Sequence, residues 1–265
     1  MSICRSIRSE YRCACVLVAA ISIIGIPTQA GAQEAPHVVV IGEVQGASNT
    51  VTSLLQHLQL IDGDAHWSGG ATVLVQTGDL MDKGENVRET LDLFMRLQEE
   101  AAAAGGRVVV LMGNHEVLNV LGELRDVNYM TYQTFADSDS EKRQIEYYEQ
   151  YVAWRTQRAK ATSTTFAADE NFKTEWLAAH PPGWVEYMES MRPEGVYGKW
   201  LRTLPVAVII DDVLFVHAGI SPEMNGTTVE QMNQRAAEEI ATFDAGRDFM
   251  VAEGLALPQS LIHIS

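Results

Sequence analysis

The chain has 265 residues, of which 46% are hydrophobic and 20% are charged, which is an ordinary composition for a globular protein. Its 35 acidic and 19 basic side chains give a formal charge of −16. A surface of this sign disfavours nucleic acid and anionic membranes as partners, because both are polyanions. With only 8 prolines and 20 glycines, collagen-like and disordered compositions are excluded as well.

The N-terminal residues 1–32 are predicted to be a signal peptide. Three arginines precede an apolar run over residues 13–27, which is short for a membrane-spanning helix. Ala30-Gly31-Ala32 then fits the small-residue rule for signal-peptide cleavage. We therefore expect an exported, periplasmic protein with no stable membrane association after cleavage; the alternative is an uncleaved N-terminal anchor. All three cysteines lie in this segment, so the cleaved chain would have no thiol.

Short apolar runs alternate with helical patterns in the following part of the chain. Runs over residues 37–41, 71–76 and 107–112 each end at a glycine or a Thr-Gly pair, which is typical of strands buried on both faces. The apolar spacing between them predicts helices over residues 54–60 and 86–104. This β-α-β-α-β order predicts an α/β fold with a parallel sheet.

Residues from about 123 to 190 lack this strand rhythm and predict a helical insertion beside the sheet edge. Its clearest helical patterns cover residues 140–158 and 168–179. Two further apolar runs, over residues 206–210 and 213–216, are separated by a pair of aspartates. This arrangement predicts a β-hairpin.

Four glycine-containing loops directly follow predicted strands. They read Gly42-Glu43-Val44-Gln45-Gly46, Gly78-Asp79-Leu80-Met81-Asp82-Lys83-Gly84, Gly113-Asn114-His115-Glu116 and His217-Ala218-Gly219. Glycine lets a backbone approach a bound ion closely, and α/β sheets bind ligands at the carboxyl ends of their strands. Aspartate, asparagine and histidine together suit Mn, Fe or Zn better than calcium.

These motifs resemble those of the calcineurin-like metallophosphoesterases, in particular the Shewanella-like phosphoprotein phosphatase branch. In that family they read G-D-x-H-G, G-D-x-x-D-R-G, G-N-H-E and H-A-G or H-G-G. The resemblance covers about residues 37–245. It implies a β-sandwich flanked by helices, with two divalent metal ions at one rim and a metal-activated hydroxide that attacks phosphorus in line. Manganese is the expected metal, with iron and zinc as alternatives.

For metal binding, the resemblance implies that Asp79 bridges both ions and that Asn114 and His217 bind the second. The first motif departs from the family, because Glu43 and Gln45 stand where the family has aspartate and histidine. Glutamate can still reach a metal, but an amide oxygen is a weaker ligand than imidazole. We therefore expect a weak or empty first site, with Glu43 as its ligand beside the bridging aspartate.

For catalysis, the resemblance implies that His115 is the general acid and that Asp82 orients it. Asn114 is also expected to contact the phosphate. Lys83 stands where the family has a phosphate-binding arginine, and lysine keeps the charge but loses the bidentate fork. We expect Arg202 to supply the missing guanidinium.

The family's last metal ligand, a histidine in a G-H-x motif, has no counterpart in this chain. His263 is the only histidine after the fourth motif, and its sequence context is different. The sequence therefore predicts a metallophosphoesterase domain over residues 33–265 that is incomplete at its C-terminus.

Together these features predict an exported, metal-dependent phosphoester hydrolase that acts on phosphomonoesters, either phosphoproteins or small phosphorylated molecules. The alternative is a pseudophosphatase that binds phosphate groups without turnover. The altered first motif favours that alternative, whereas the retained acid, aspartate and second-site residues favour the enzyme. A nucleotide phosphodiesterase is a third reading, which would require a more open cleft. The sequence leaves the substrate and the oligomeric state open.

Overall fold

A computed structural model describes residues 37–257 of the chain. Its parallel sheet has three strands in the order β1-β2-β3: β1 (Val38–Ile41), β2 (Val73–Gln76) and β3 (Arg107–Val110). Two helices connect them: α1 (Ser48–His57) and α2 (Val87–Ala103). The predicted α/β class is confirmed, and all three strands run so that their carboxyl ends meet at one edge.

The second sheet is the predicted hairpin, formed by β4 (Ala207–Ile210) and β5 (Val213–Val216) in antiparallel register. Asp211 and Asp212 both adopt left-handed backbone conformations, with φ of 48° and 63°. Such conformations at both central residues allow a two-residue turn to match the twist of its strands. The hairpin packs on one face of the parallel sheet through a buried apolar cluster that includes Val75, Val109 and Ile210. The two sheets therefore form facing layers.

The opposite face of the parallel sheet is covered by α1 and α2. Leu91, Phe94 and Leu97 of α2 recur at helical spacing and are completely buried. The predicted boundaries of α1 were wrong, because this helix runs from residue 48 to 57 and not from 54 to 60. It ends early because Gln59 adopts a left-handed conformation with φ of 58°, which breaks the helical repeat.

Helices dominate the rest of the described chain. They are α3 (Asn114–Leu121), α4 (Tyr129–Phe135), α5 (Ser140–Ala161), α6 (Glu170–Ala179), α7 (Trp184–Met191), α8 (Val196–Leu201) and α9 (Val229–Ala252), with a short 3₁₀ turn over Pro222–Met224. α5 and α6 correspond to the two helical patterns seen in the sequence. α4 and α7 meet through edge-to-face aromatic contacts at 5.4 Å, between Tyr132 and Tyr187, and at 4.9 Å, between Phe135 and Tyr187.

Within residues 37–257 no helix has both the length and the apolar composition needed to cross a bilayer. The predicted signal peptide, residues 1–32, and His263 lie outside the described residues. The expectations of export, of cleavage and of an incomplete C-terminus therefore stay predictions.

Candidate active site

The loops that follow β1 and β2 are joined through their backbones. The N–H groups of Val44 and Gln45 both donate to the carbonyl of Asp79, at 3.0 and 2.9 Å. Gln45, Asp79, Asp82 and Lys83 all adopt left-handed conformations, with φ between 47° and 67°. Non-glycine residues seldom adopt this conformation, and such strained residues cluster at functional sites. The first two motifs thus form one constrained surface.

The loops that follow β2 and β3 approach so closely that two positions require glycine. A Cβ atom on Gly78 would lie 2.7 Å from the backbone nitrogen of Gly113, and a Cβ on Gly113 would lie 2.3 Å from Oδ1 of Asp79. No side chain can occupy either space without displacing backbone. These glycines therefore bring the second and third motifs into direct contact.

Glu116 links these two loops through buried hydrogen bonds. Its buried carboxylate accepts backbone N–H groups of Asp79 and Gly113, each at 2.8 Å, and of Leu80 and Met81, at 2.8 and 3.2 Å. Burial raises the pKa of Glu116, while the N–H donors oppose that shift. No role for Glu116 was predicted from its motif. Its position three residues after Gly113, where a helix begins, is the capping-box spacing that could have indicated one.

His115 and Asp82 form a buried hydrogen-bonded pair. Nδ1 of His115 lies 2.7 Å from Oδ2 of Asp82, and the side-chain amide of Asn119 donates to Oδ1 of Asp82 at 2.9 Å. Burial raises the pKa of Asp82, and the hydrogen bonds from Asn119 and His115 oppose that shift. When Asp82 is ionised its carboxylate only accepts hydrogen bonds, and the proton between the two groups is then on Nδ1 of His115. Nε2 then faces Asp79, whose Oδ2 lies 3.8 Å away.

The structure also brings Asp79, Asn114 and His217 together. Nδ1 of His217 lies 2.9 Å from the carbonyl oxygen of Thr77, which can only accept a hydrogen bond, so Nδ1 carries a proton. In neutral His217 the Nε2 lone pair then faces Oδ1 of Asn114 at 3.0 Å and Oδ1 of Asp79 at 3.4 Å. A bound cation would relieve this convergence of acceptors.

This donor set fits a divalent metal ion in its chemistry. Carboxylate, amide and imidazole groups are ligands of Mn, Fe and Zn, and a metal-binding histidine commonly donates its other N–H to a backbone carbonyl. The set is partial: across residues 37–257 no three His, Cys, Asp or Glu side chains form a metal-binding group. The cluster supplies one aspartate and one histidine, and its third member is an amide.

The side chains of Glu43 and Gln45 form no hydrogen bond or ion pair with this cluster. The Glu43 side chain is exposed, and its Oε2 accepts a hydrogen bond from the amide of Gln45 at 3.1 Å.

Lys83, in the second motif, is exposed as well. Its backbone is held by the carbonyl of Asp126 and the side chain of Asn128, each at 3.0 Å, while its ammonium has no hydrogen bond or ion pair to any described residue. That ammonium is available to an anion.

Arg202 is not brought to the site. Its guanidinium donates to both oxygens of Asp244, at 2.7 and 2.9 Å, and to the carbonyls of Met191 and Gly198, at 3.0 and 2.9 Å. These contacts tie α8 to α9 and leave no free fork for phosphate. The expectation that Arg202 binds phosphate is therefore not supported by this structure, because a carboxylate of the chain itself already occupies the guanidinium.

A groove of about 550 Å³ lies between β5, α3 and α9. Asn114 and His217 are among its lining residues, together with Val117, Val216 and Met232. Its lining is mostly apolar, with Arg235 and Glu239 of α9 as charged members. The groove thus places an apolar surface directly beside the polar cluster.

The comparisons with known proteins agree with this fold. The sequence profile of the calcineurin-like phosphoesterases matches residues 36–252, and the chain belongs to this family. The predicted resemblance to the Shewanella-like branch is confirmed by its relatives. Shewanella-like protein phosphatase 2 of Arabidopsis thaliana is 26% identical over 79% of this chain, and Shewanella-like protein phosphatase 1 of Plasmodium berghei is 24% identical over 82%.

The solved structures that resemble this chain are also titled as phosphatases. A cold-active protein tyrosine phosphatase of a psychrophilic Shewanella species is 28% identical, with a TM-score of 0.53 over 82% of this chain. A second structure titled cold-active protein tyrosine phosphatase is 27% identical, with a TM-score of 0.54 over 82% of this chain. The matches cover 53% and 50% of the two curated relatives and 52% and 51% of the two solved chains. The chain therefore spans about half the length of the relatives it matches.

Proposed function

We propose that this chain carries the catalytic site of a metal-dependent phosphomonoesterase. The observation that carries the proposal is the convergence of Asp79, Asn114 and His217 beside the buried Asp82–His115 pair. A divalent ion held by that cluster, for which we propose manganese with iron and zinc as alternatives, supplies Lewis-acid chemistry and activates water. Family membership and the names of the relatives support this assignment.

The protein's own part in the reaction is proton transfer and phosphate binding. Asp82 holds the Nδ1 proton of His115 and stabilises the imidazolium, which allows Nε2 to donate a proton to the leaving oxygen. Asn114 and the free ammonium of Lys83 are proposed to bind phosphate oxygens. Lysine acts there as a point charge, without the two parallel hydrogen bonds of an arginine.

The groove indicates the kind of substrate. Its lining combines Asn114 and His217 with apolar side chains, so an aromatic leaving group would bury apolar surface there when its phosphate reaches the cluster. The solved relatives are titled protein tyrosine phosphatases. We propose phosphotyrosine side chains, or small aryl phosphates, as substrates. The net charge of −16 argues against nucleic-acid substrates.

A second candidate function is phosphate recognition without turnover. It is favoured by the first motif, where the Glu43 side chain is exposed and accepts a hydrogen bond from Gln45. In that case the second-site residues and Lys83 would bind a phosphate group, and the missing first ion would prevent hydrolysis. Export to the periplasm is a separate proposal, based on the signal-peptide pattern of residues 1–32.

The decisive experiment compares turnover of an aryl phosphate by the parent protein and by His217→Ala, with and without added Mn²⁺. We expect turnover that depends on manganese in the parent and its loss in His217→Ala. The matched control is His57→Ala, an exposed histidine at the end of α1, which should behave like the parent. Tight phosphate binding without turnover at any manganese concentration would instead support the second candidate.

A further inference from the structure

We propose that Tyr187, on helix α7, is a positioning residue for the Asp82–His115 pair and acts through the side-chain amide of Asn119. The inference rests on the proposed function, because it assigns His115 as the general acid. It gives the helical region between residues 123 and 190 a part in catalysis: one of its side chains fixes the group that holds the catalytic pair.

The geometry is a continuous chain of buried hydrogen bonds. The phenol of Tyr187 donates to Oδ1 of Asn119. Nδ2 of Asn119 donates to Oδ1 of Asp82 and to the carbonyl oxygen of His115, each at 2.9 Å. Oδ2 of Asp82 then accepts the Nδ1 proton of His115. All four side chains that form these hydrogen bonds are buried, so water does not compete for the bonds.

The direction of each bond is fixed by the chemistry of the groups. Burial raises the pKa of Tyr187 well above its usual value, so its hydroxyl keeps its proton and donates to the oxygen end of Asn119. The nitrogen end of Asn119 must then face Asp82, which as a carboxylate needs a donor. Without the phenol, Oδ1 of Asn119 would be a buried acceptor with no donor among residues 37–257. The amide would then turn or admit water, and Asp82 would lose its fixed partner.

The ring of Tyr187 is tightly packed among other aromatic side chains. Its ring is held edge-to-face by Tyr132 at 5.4 Å and by Phe135 at 4.9 Å, both on α4. Tyr187 is completely buried in this aromatic cluster. The phenol therefore reaches Asn119 from a side chain with little freedom to move, as a positioning group requires.

The test compares Tyr187→Phe with the matched control Tyr132→Phe. Tyr132 lies in the same aromatic cluster and loses the same atom, but its hydroxyl has no hydrogen bond to any described residue. We expect Tyr187→Phe to lower kcat for an aryl phosphate about tenfold, a part of the roughly 10²–10⁴-fold contribution of a general acid, with KM unchanged. Tyr132→Phe should keep the parent's kcat. A purely structural role for Tyr187 would not separate kcat from KM in this way.

A second readout does not depend on activity. In metal-free protein labelled with ¹⁵N-histidine, the Nδ1 proton of His115 should give a downfield resonance, which Tyr187→Phe broadens or shifts and Tyr132→Phe leaves in place. Asn119→Leu should have the same effect, and adding Tyr187→Phe to it should cause no further loss of kcat, because both act along one path.

The inference is overturned if Tyr187→Phe matches Tyr132→Phe in both readouts, or if the losses from Asn119→Leu and Tyr187→Phe multiply. Absence of turnover in the parent contradicts the proposed function instead, and the resonance of His115 still decides the inference. If Tyr187→Phe does not fold, the resonance in Asn119→Leu decides it: an unchanged Nδ1 proton there overturns the amide's role.

Discussion

Asp82 and His115 stand 33 residues apart in the chain, yet Oδ2 of the one lies 2.7 Å from Nδ1 of the other. Their side chains are only 1% and 6% exposed. In such a dry environment a carboxylate stabilises a neighbouring imidazolium far more than it does in water. These surroundings are compatible with the general-acid role proposed for His115.

Replacing His115 with asparagine should remove proton donation and leave the polar cluster in place. We expect His115→Asn to lose roughly 10²–10⁴-fold in kcat. Its manganese affinity should stay close to the parent's, because Asp79, Asn114 and His217 are unchanged. Steady-state kinetics and calorimetric titration with Mn²⁺ measure the two quantities separately. A parallel loss of metal binding and turnover would make His115 a ligand.

The raised pKa of Asp82 predicts a pH-dependent stability difference. Because the folded state binds this proton more tightly than the unfolded chain does, the carboxyl stabilises the fold below its unfolded pKa. That stabilisation is lost as the pH rises through the raised folded pKa. Asparagine does not ionise, so the free energy of unfolding of Asp82→Asn, relative to the parent, should increase from acid to neutral pH. Urea denaturation at a series of pH values measures it, and a constant or falling difference would contradict the prediction.

Glu116→Gln should destabilise the fold although the two side chains have nearly the same shape. An amide presents one acceptor oxygen where the carboxylate presents two, so two of the four backbone N–H groups lose their partner. With roughly 1–3 kcal/mol for each unsatisfied buried donor, we expect a loss of about 3 kcal/mol in the free energy of unfolding. The control is Glu99→Gln on the exposed side of α2, which should change it by at most about 0.5 kcal/mol.

Substitutions of Arg202 and Lys83 should have opposite effects on stability and on KM. Arg202→Gln breaks a largely buried ion pair with Asp244 and should lower the free energy of unfolding by about 2–4 kcal/mol, with KM unchanged. Lys83→Gln should raise KM several-fold and change stability by at most about 0.5 kcal/mol, because the side chain is exposed. Denaturation curves and steady-state kinetics test both variants. A higher KM for Arg202→Gln at unchanged stability would restore its role as a phosphate ligand.

Local patterns in the sequence were sufficient to predict the strands, the hairpin and the four loops. Consecutive apolar residues identify buried strands, and the pair Asp211-Asp212 identifies a tight turn, because these are properties of neighbouring residues. The loops then meet because parallel strands end at one edge. Apolar spacing misplaced α1, because the first turn of this helix contains polar residues and carries little apolar signal.

Residues that act through distant contacts could not be found in this way. Nothing near Tyr187 in the sequence indicates that it bonds Asn119, 68 residues earlier. Arg202 was assigned to phosphate because its charge was visible, whereas Asp244, 42 residues later, became its partner only when α9 packed beside α8. A side chain's chemistry can be read from sequence, but its partner depends on tertiary packing.

The altered first motif gives the last prediction. Its backbone is in place, because Val44 and Gln45 both donate to the carbonyl of Asp79, but Glu43 is exposed and bonded to Gln45. We therefore expect the parent to bind one Mn²⁺ per chain more tightly than a second. Turnover should be low and should rise with added manganese, since two ions hold the attacking and leaving oxygens better than one.

Glu43→Asp combined with Gln45→His should raise both the affinity for the second ion and the turnover. The backbone tolerates the change, because Gln45 is left-handed with φ of 47° and histidine is among the residues enriched in that conformation. Manganese titration of the parent, the two single variants and the double variant in parallel separates the contributions, because only the double variant restores both a carboxylate and an imidazole. If the parent already binds two ions tightly, or if the double variant changes neither affinity nor turnover, Glu43 is itself a competent ligand and the first site is not weak.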